Sequence, residues 1–71
     1  MTTGQRIREA RKAADLTQEA LAHRASVSLP TVQRLEADRN GARVSTLTAL
    51  AAALGVPLSD LLSNPDERLV S

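Results

Sequence analysis

Gln33 and Arg34 stand side by side in the segment Leu29-Pro30-Thr31-Val32-Gln33-Arg34-Leu35-Glu36-Ala37. A side-chain amide carries a donor and an acceptor at fixed spacing, and a guanidinium carries a rigid fork of donors. These two groups pair bidentately with the major-groove edges of adenine and of guanine, the latter through N7 and O6. At helical spacing Pro30, Gln33, Arg34 and Ala37 share one face, while Val32, Leu35 and Glu36 face inward. The result is a narrow helix with an apolar back and a small, donor-rich front. That shape suits a groove.

Chemistry of other kinds finds little support. His23 lies on the outer side of its helix with no Asp, Cys or second His at ligand spacing, and reads as a surface histidine. There are no paired carboxylates in a cleft, no glycine-rich phosphate loop and no activated nucleophile. Ser26, Ser28 and Ser45 are explained as turn and cap residues. The absence of cysteine excludes disulfides and thiolate chemistry, and with one histidine it argues against structural zinc. No enzyme, no cofactor and no metal are expected.

The elements that must position Gln33 and Arg34 run from Thr17 to Ala37. Thr17 offers an N-cap to a helix carrying Leu21, Ala22 and Ala25 on one face, and Ser28 offers a second cap. Ala25-Ser26-Val27 is too short for a loop and forms a sharp corner with Val27 plugging the angle. Pro30 falls in the first turn of the second helix, where a missing N–H costs little.

Upstream, Thr3 is a plausible N-cap for a helix over 4–14, with Ile7, Ala10, Arg11 and Ala14 on its inner stripe. Arg6, Arg8, Glu9 and Lys12 fall mostly outside that stripe. Asp15 ends this helix and Leu16 anchors the core. Downstream, 38–43 read as a loop with an Asn-Gly turn. A helix then starts at Ser45, with Leu47, Leu50, Ala51 and Leu54 inward, and stops at Gly55 and Pro57. Leu58, Leu61 and Leu62 form a last short helix. The expected division is one domain over 1–64 and a tail over 65–71, flexible or in contact with a second subunit through Leu69 and Val70.

Seventy-one residues make one small domain, and its core must be built without a single aromatic ring. No stretch approaches the length of a membrane span and no secretory apolar run is visible, so a cytoplasmic protein without a membrane partner is expected. The net charge is only +1. Its distribution is uneven: residues 1–43 hold eight Lys/Arg against five Asp/Glu, and residues 44–71 hold one against three. The half containing Gln33 and Arg34 is therefore the basic one, as a phosphate-facing surface requires.

The pattern T-Q-x-x-L-A, then V-S, then T-V-x-R-L-E resembles the helix-turn-helix of Cro/cI-type (XRE-like) DNA-binding domains. GQRIREARK upstream and LTALAAALGVPLSDLL downstream resemble the family's first, fourth and fifth helices, so the likeness covers roughly 4–62. It implies an all-α fold: a compact five-helix bundle of the lambda-repressor-like type, with helices two and three forming the motif. It implies a sequence-specific transcriptional regulator, repressor-like, whose recognition helix, about 28–37, enters the major groove of double-stranded DNA. Gln33 and Arg34 would read bases, and Leu29 and Pro30 would pack against thymine methyls. Gln18, Ser28, Thr31, Arg39, Asn40 and Arg43 would hold phosphates.

The resemblance further implies an ion pair between Arg11 and Glu36, tying helix one to helix three. Contacts from one small domain are few, so a homodimer on a two-fold operator is expected, with its interface on helix five and the tail. The same resemblance also includes antitoxins that hold a toxin as protein partner and restriction–modification controllers. The alternative of a different class is a protein-interaction module that keeps the helical fold and has lost DNA binding. Three features depart from the family pattern. Asp15 stands where the family usually has glycine at the end of the first helix. Ser26 stands where glycine usually supplies a positive φ, so it either bears strain or changes the turn. Leu29-Pro30 stands where many relatives carry polar side chains.

Overall fold

A computed structural model describes residues 1–39 and 41–62. Four α-helices follow one another: α1 Thr3–Ala13, α2 Gln18–Ala25, α3 Leu29–Glu36 and α4 Val44–Leu54. A single 3-10 turn, Leu58–Leu61, takes the place of the expected fifth helix. Pro57 starts that turn, and Leu62 already has extended backbone after it, which leaves too few residues for an α-helix. No strand occurs among the described residues. The expected tail and its Leu69 and Val70 lie outside them.

The N-termini follow from side-chain capping. Thr17 Oγ1 accepts the N–H of Ala20 at 3.0 Å, and Ser28 Oγ accepts that of Thr31 at 3.2 Å. In α1 the cap is Thr2, not the expected Thr3. Thr2 Oγ1 accepts from the Gln5 N–H at 3.1 Å, and Gln5 Oε1 accepts the Thr2 N–H at 2.8 Å. This reciprocal box needs an acceptor three residues after the cap. Gln5 supplies one to Thr2, whereas the residue three after Thr3 is Arg6, which has none. α4 begins one residue before the expected Ser45, with Arg43 at the N-cap and no side-chain cap bond.

The C-termini share one device. After each helix a residue with positive φ turns the chain: Asp15 at 62°, Ser26 at 57°, Asp38 at 57° and Gly55 at 72°. The next N–H then reaches back to the last turn, as in Leu16 to the Arg11 carbonyl, Val27 to Ala22, Arg39 to Arg34 and Val56 to Ala51. Leu16, Val27 and Val56 pack against the core as they do so. Ser26 therefore adopts the left-handed turn and bears its strain, about 1 kcal/mol for a residue with a Cβ. Because α1 stops at Ala13, Ala14 falls off the inner stripe and is exposed.

α3 packs on α1 and α2, while α4 packs on α2 and on the 3-10 turn. The core they enclose is aliphatic: Ile7, Leu21, Val32, Leu47, Leu50 and Leu61 are its largest fully buried side chains. Leu61 is thus consumed by the protomer's own core, and Leu58 and Leu62 are half-buried against it. Fewer leucines are left for a second subunit than their number in the sequence suggests.

Candidate nucleic-acid interface

The strained corner at Ser26 and the cap at Ser28 bracket the turn that aims α3. Val32 and Leu35 are buried beneath the helix, and Pro30, Gln33, Arg34 and Ala37 are exposed on the other side. Leu29 is half-buried. Pro30 occupies the second helical position, where its missing N–H breaks no helical bond. Ser28 Oγ lies 2.7 Å from Thr31 Oγ1, so the two hydroxyls are bonded to each other as well as to the backbone.

Beside this face the chain gathers cations. Arg34, Arg39 and Arg43 line one open cleft between α3 and the start of α4, together with Thr31 and Thr46. Among the described residues, no acidic side chain lines it. Three of the residues expected to hold phosphates (Thr31, Arg39 and Arg43) are therefore brought together with the base-reading candidate Arg34. Asn40 lies outside the described residues.

On the other flank, Gln18 and Gln33 line a second cleft with Arg8, Arg11, Glu36 and Ala37. Arg11 and Glu36 form a bidentate pair there. Arg11 Nε lies 2.7 Å from Glu36 Oε2 and Nη2 lies 3.1 Å from Oε1, with the side chains only 12% and 5% exposed. Arg11 Nη1 also donates to the Leu16 carbonyl at 2.9 Å, and Gln18 Nε2 donates to Glu36 Oε1 at 3.1 Å. The pair joins α1, the α1–α2 turn, the start of α2 and the end of α3.

Some contributors escape a reading of the sequence. Arg8 lines the Gln18–Gln33 cleft, although its place outside the inner stripe of α1 marks it only as solvated. Asp38 closes α3 and sends its carboxylate back to α1, where it accepts the Gly4 N–H at 2.9 Å and the Thr2 hydroxyl. Gly4 lies so close to the end of α3 that a Cβ there would sit 2.8 Å from the Glu36 carbonyl oxygen and nearer still to that of Leu35. His23 is exposed on α2 and lines neither cleft.

Known proteins resemble this chain in sequence and in fold. A helix-turn-helix family model matches residues 7–61. The immunity repressor protein of Bacillus phage phi105 is 44% identical over 62 residues, covering 87% of this chain and 43% of its own length. The restriction–modification controller protein C.AhdI from Aeromonas hydrophila superposes with a TM-score of 0.82 at 32% identity, over 84% of this chain and 91% of that one. The P22 c2 repressor, solved in complex with a synthetic operator, superposes with a TM-score of 0.81 at 30% identity, over 89% of this chain and 96% of that one. The chain spans about half the length of the curated relatives it matches.

Proposed function

The chain belongs to the Cro/cI-type helix-turn-helix family, and on that premise we propose that it is a sequence-specific DNA-binding transcriptional regulator of repressor type, seating α3 in the major groove. The observation that carries this reading is the exposed Pro30–Gln33–Arg34–Ala37 face of α3, flanked by a cleft lined with Arg34, Arg39 and Arg43 and, among the described residues, by no acidic side chain.

In this reading Gln33 pairs with adenine and Arg34 with guanine, while Pro30 and the exposed part of Leu29 pack against thymine methyls. Arg39, Arg43 and Thr31 hold one stretch of backbone, and Gln18 holds another at the start of α2 with the N–H groups of that helix. Ser28 and Asn40 complete the phosphate set. These contacts set register, and the α3 face sets sequence.

A single domain of this size makes few base contacts, each correct pair contributing about 1–3 kcal/mol. Two copies on a two-fold operator double them, with reading helices about 34 Å apart, one turn of DNA. The parts of Leu58 and Leu62 left outside the core supply the contact between copies.

The test is a binding titration against random duplex DNA for wild type and Arg34→Ala at two salt concentrations. Selection of an inverted repeat by wild type, with the variant keeping only weak unselective binding, is the expected result. Absence of binding by either protein at low salt sinks the reading and turns attention to a protein partner, whose leucine-mediated contact would not weaken steeply with salt.

A further inference from the structure

The carboxylate of Glu36 accepts from two residues on different helices. Its Oε1 accepts from Arg11 Nη2 and from Gln18 Nε2, each at 3.1 Å, and its Oε2 accepts from Arg11 Nε at 2.7 Å. A carboxylate paired with arginine presents acceptors only, so the Gln18 amide can meet it only through nitrogen. The orientation of a glutamine amide is ambiguous at many sites. Here the partner decides it, and the carbonyl oxygen of Gln18 is turned off the carboxylate. Nε2 carries two hydrogens, and Glu36 takes one.

We propose that Glu36 is a positioning residue for Gln18: it holds the amide so that the second N–H, together with the backbone N–H groups of the first turn of α2, meets one DNA phosphate. This rests on the DNA-binding reading above. The physical case has three parts. A glutamine held before binding loses no rotamer freedom on binding, so its hydrogen bond to phosphate is gained in full. A phosphate accepts only, so only the amide nitrogen can meet it; with Nε2 kept on the Glu36 carboxylate, flips that exchange the nitrogen and oxygen of the amide are excluded. Arg11, itself fixed by the Leu16 carbonyl at 2.9 Å, neutralises Glu36 so that the carboxylate does not repel the phosphate it serves. Gln33 lines the same cleft, so the amide fixed by Glu36 lies beside a base-reading side chain.

The test uses a duplex that the protein itself selects from a random pool, remade with one methylphosphonate at a time along a half-site. In wild type, one neutralised phosphate near the start of α2 weakens binding roughly tenfold, the loss expected for a hydrogen bond to a charged group. Gln18→Ala is indifferent to that substitution. Glu36→Gln and the double variant Arg11→Met/Glu36→Leu lose most of the sensitivity there, yet keep it at phosphates faced by Arg39 and Arg43. The double variant replaces both charges with apolar groups, a change that leaves folds intact where single removal does not.

A double variant that retains the tenfold penalty overturns the proposal, as does a wild type in which no phosphate depends on Gln18. A further measurement needs no variant. In the free wild-type protein the Gln18 side-chain amide is rigid by NMR relaxation, and a mobile one with an order parameter below about 0.6 overturns the proposal. If no duplex is selected from the pool, the DNA-binding reading itself has failed, which is a separate result.

Discussion

The backbone N–H of Gly4 donates to the carboxylate of Asp38 at 2.9 Å, fastening the first turn of α1 to the residue that closes α3. The two backbones approach so nearly that there is no room for a side chain at position 4. The helix carrying Gln33 and Arg34 is therefore held at its far end by a cap on another helix.

Gly4→Ala places a methyl against the carbonyls of Leu35 and Glu36, and backbone cannot swing away as a long side chain can. Alanine is the better helix former by about 1 kcal/mol. The clash nevertheless wins, with a net loss of about 1–3 kcal/mol. At roughly 4–8 °C per kcal/mol for a domain of this size, thermal melting followed by far-UV circular dichroism reads the change directly. A variant melting at or above the wild-type temperature refutes the close approach.

Ser26 and Asp38 share a left-handed φ of 57° but differ in what glycine does to them. Ser26→Gly relieves the strain and breaks no hydrogen bond described for that side chain, so stability rises by up to about 1 kcal/mol. Asp38→Gly relieves the same strain but removes the acceptor for Gly4 and Thr2, a loss of about 1–2 kcal/mol, and stability falls or is unchanged. Urea denaturation of the two variants side by side separates them, and a larger gain at Asp38 than at Ser26 contradicts the assigned cap.

Arg11→Ala leaves Glu36, only 5% exposed, without its counter-charge, and should cost about 3 kcal/mol. Replacing both partners together, Arg11→Met/Glu36→Leu, recovers most of that loss because no charge is left buried alone. The comparison is made by urea midpoint. If Arg11→Ala unfolds at the wild-type midpoint, the pair has no structural weight.

The arginines around α3 are expected to fail in different ways. Arg39→Ala and Arg43→Ala each weaken binding to all duplexes alike and reduce the slope of log affinity against log salt by about 1. Arg34→Ala costs about 1–3 kcal/mol on the selected duplex alone and relaxes the preference at one base pair. Titrations at several salt concentrations on selected and unselected duplexes distinguish the two patterns, and identical behaviour of all three variants contradicts the division of roles.

What was legible in the chain was what acts over a few residues. Thr17 and Ser28 are caps because each bonds an N–H three positions on, and Gly55 with Pro57 marks a stop for the same local reason. The Thr2–Gln5 box is equally local, and noticing that Arg6 cannot accept for Thr3 is enough to find it. The inward-facing Arg11 and Glu36 stand out through helical periodicity combined with family likeness. Asp38 does not, because its partners lie 34 and 36 positions away and nothing in its neighbourhood announces a cap for another helix. The shortfall of the fifth helix has a similar origin. Three leucines at helical spacing describe a buried face equally well for one 3-10 turn, and Leu61 is claimed by packing against earlier elements.

The ring-free core has a consequence for how the molecule is observed. With no tryptophan, tyrosine or phenylalanine, the chain is dark in the near ultraviolet and has no intrinsic fluorescence. Any absorbance or dichroic signal in that window from a mixture with DNA belongs to the nucleic acid, so distortion of the duplex is seen without a protein background. A single tryptophan introduced at the exposed, uncharged Val44 becomes the one emitter in the chain, reporting from the first residue of α4, next in sequence to Arg43 of the arginine-lined cleft.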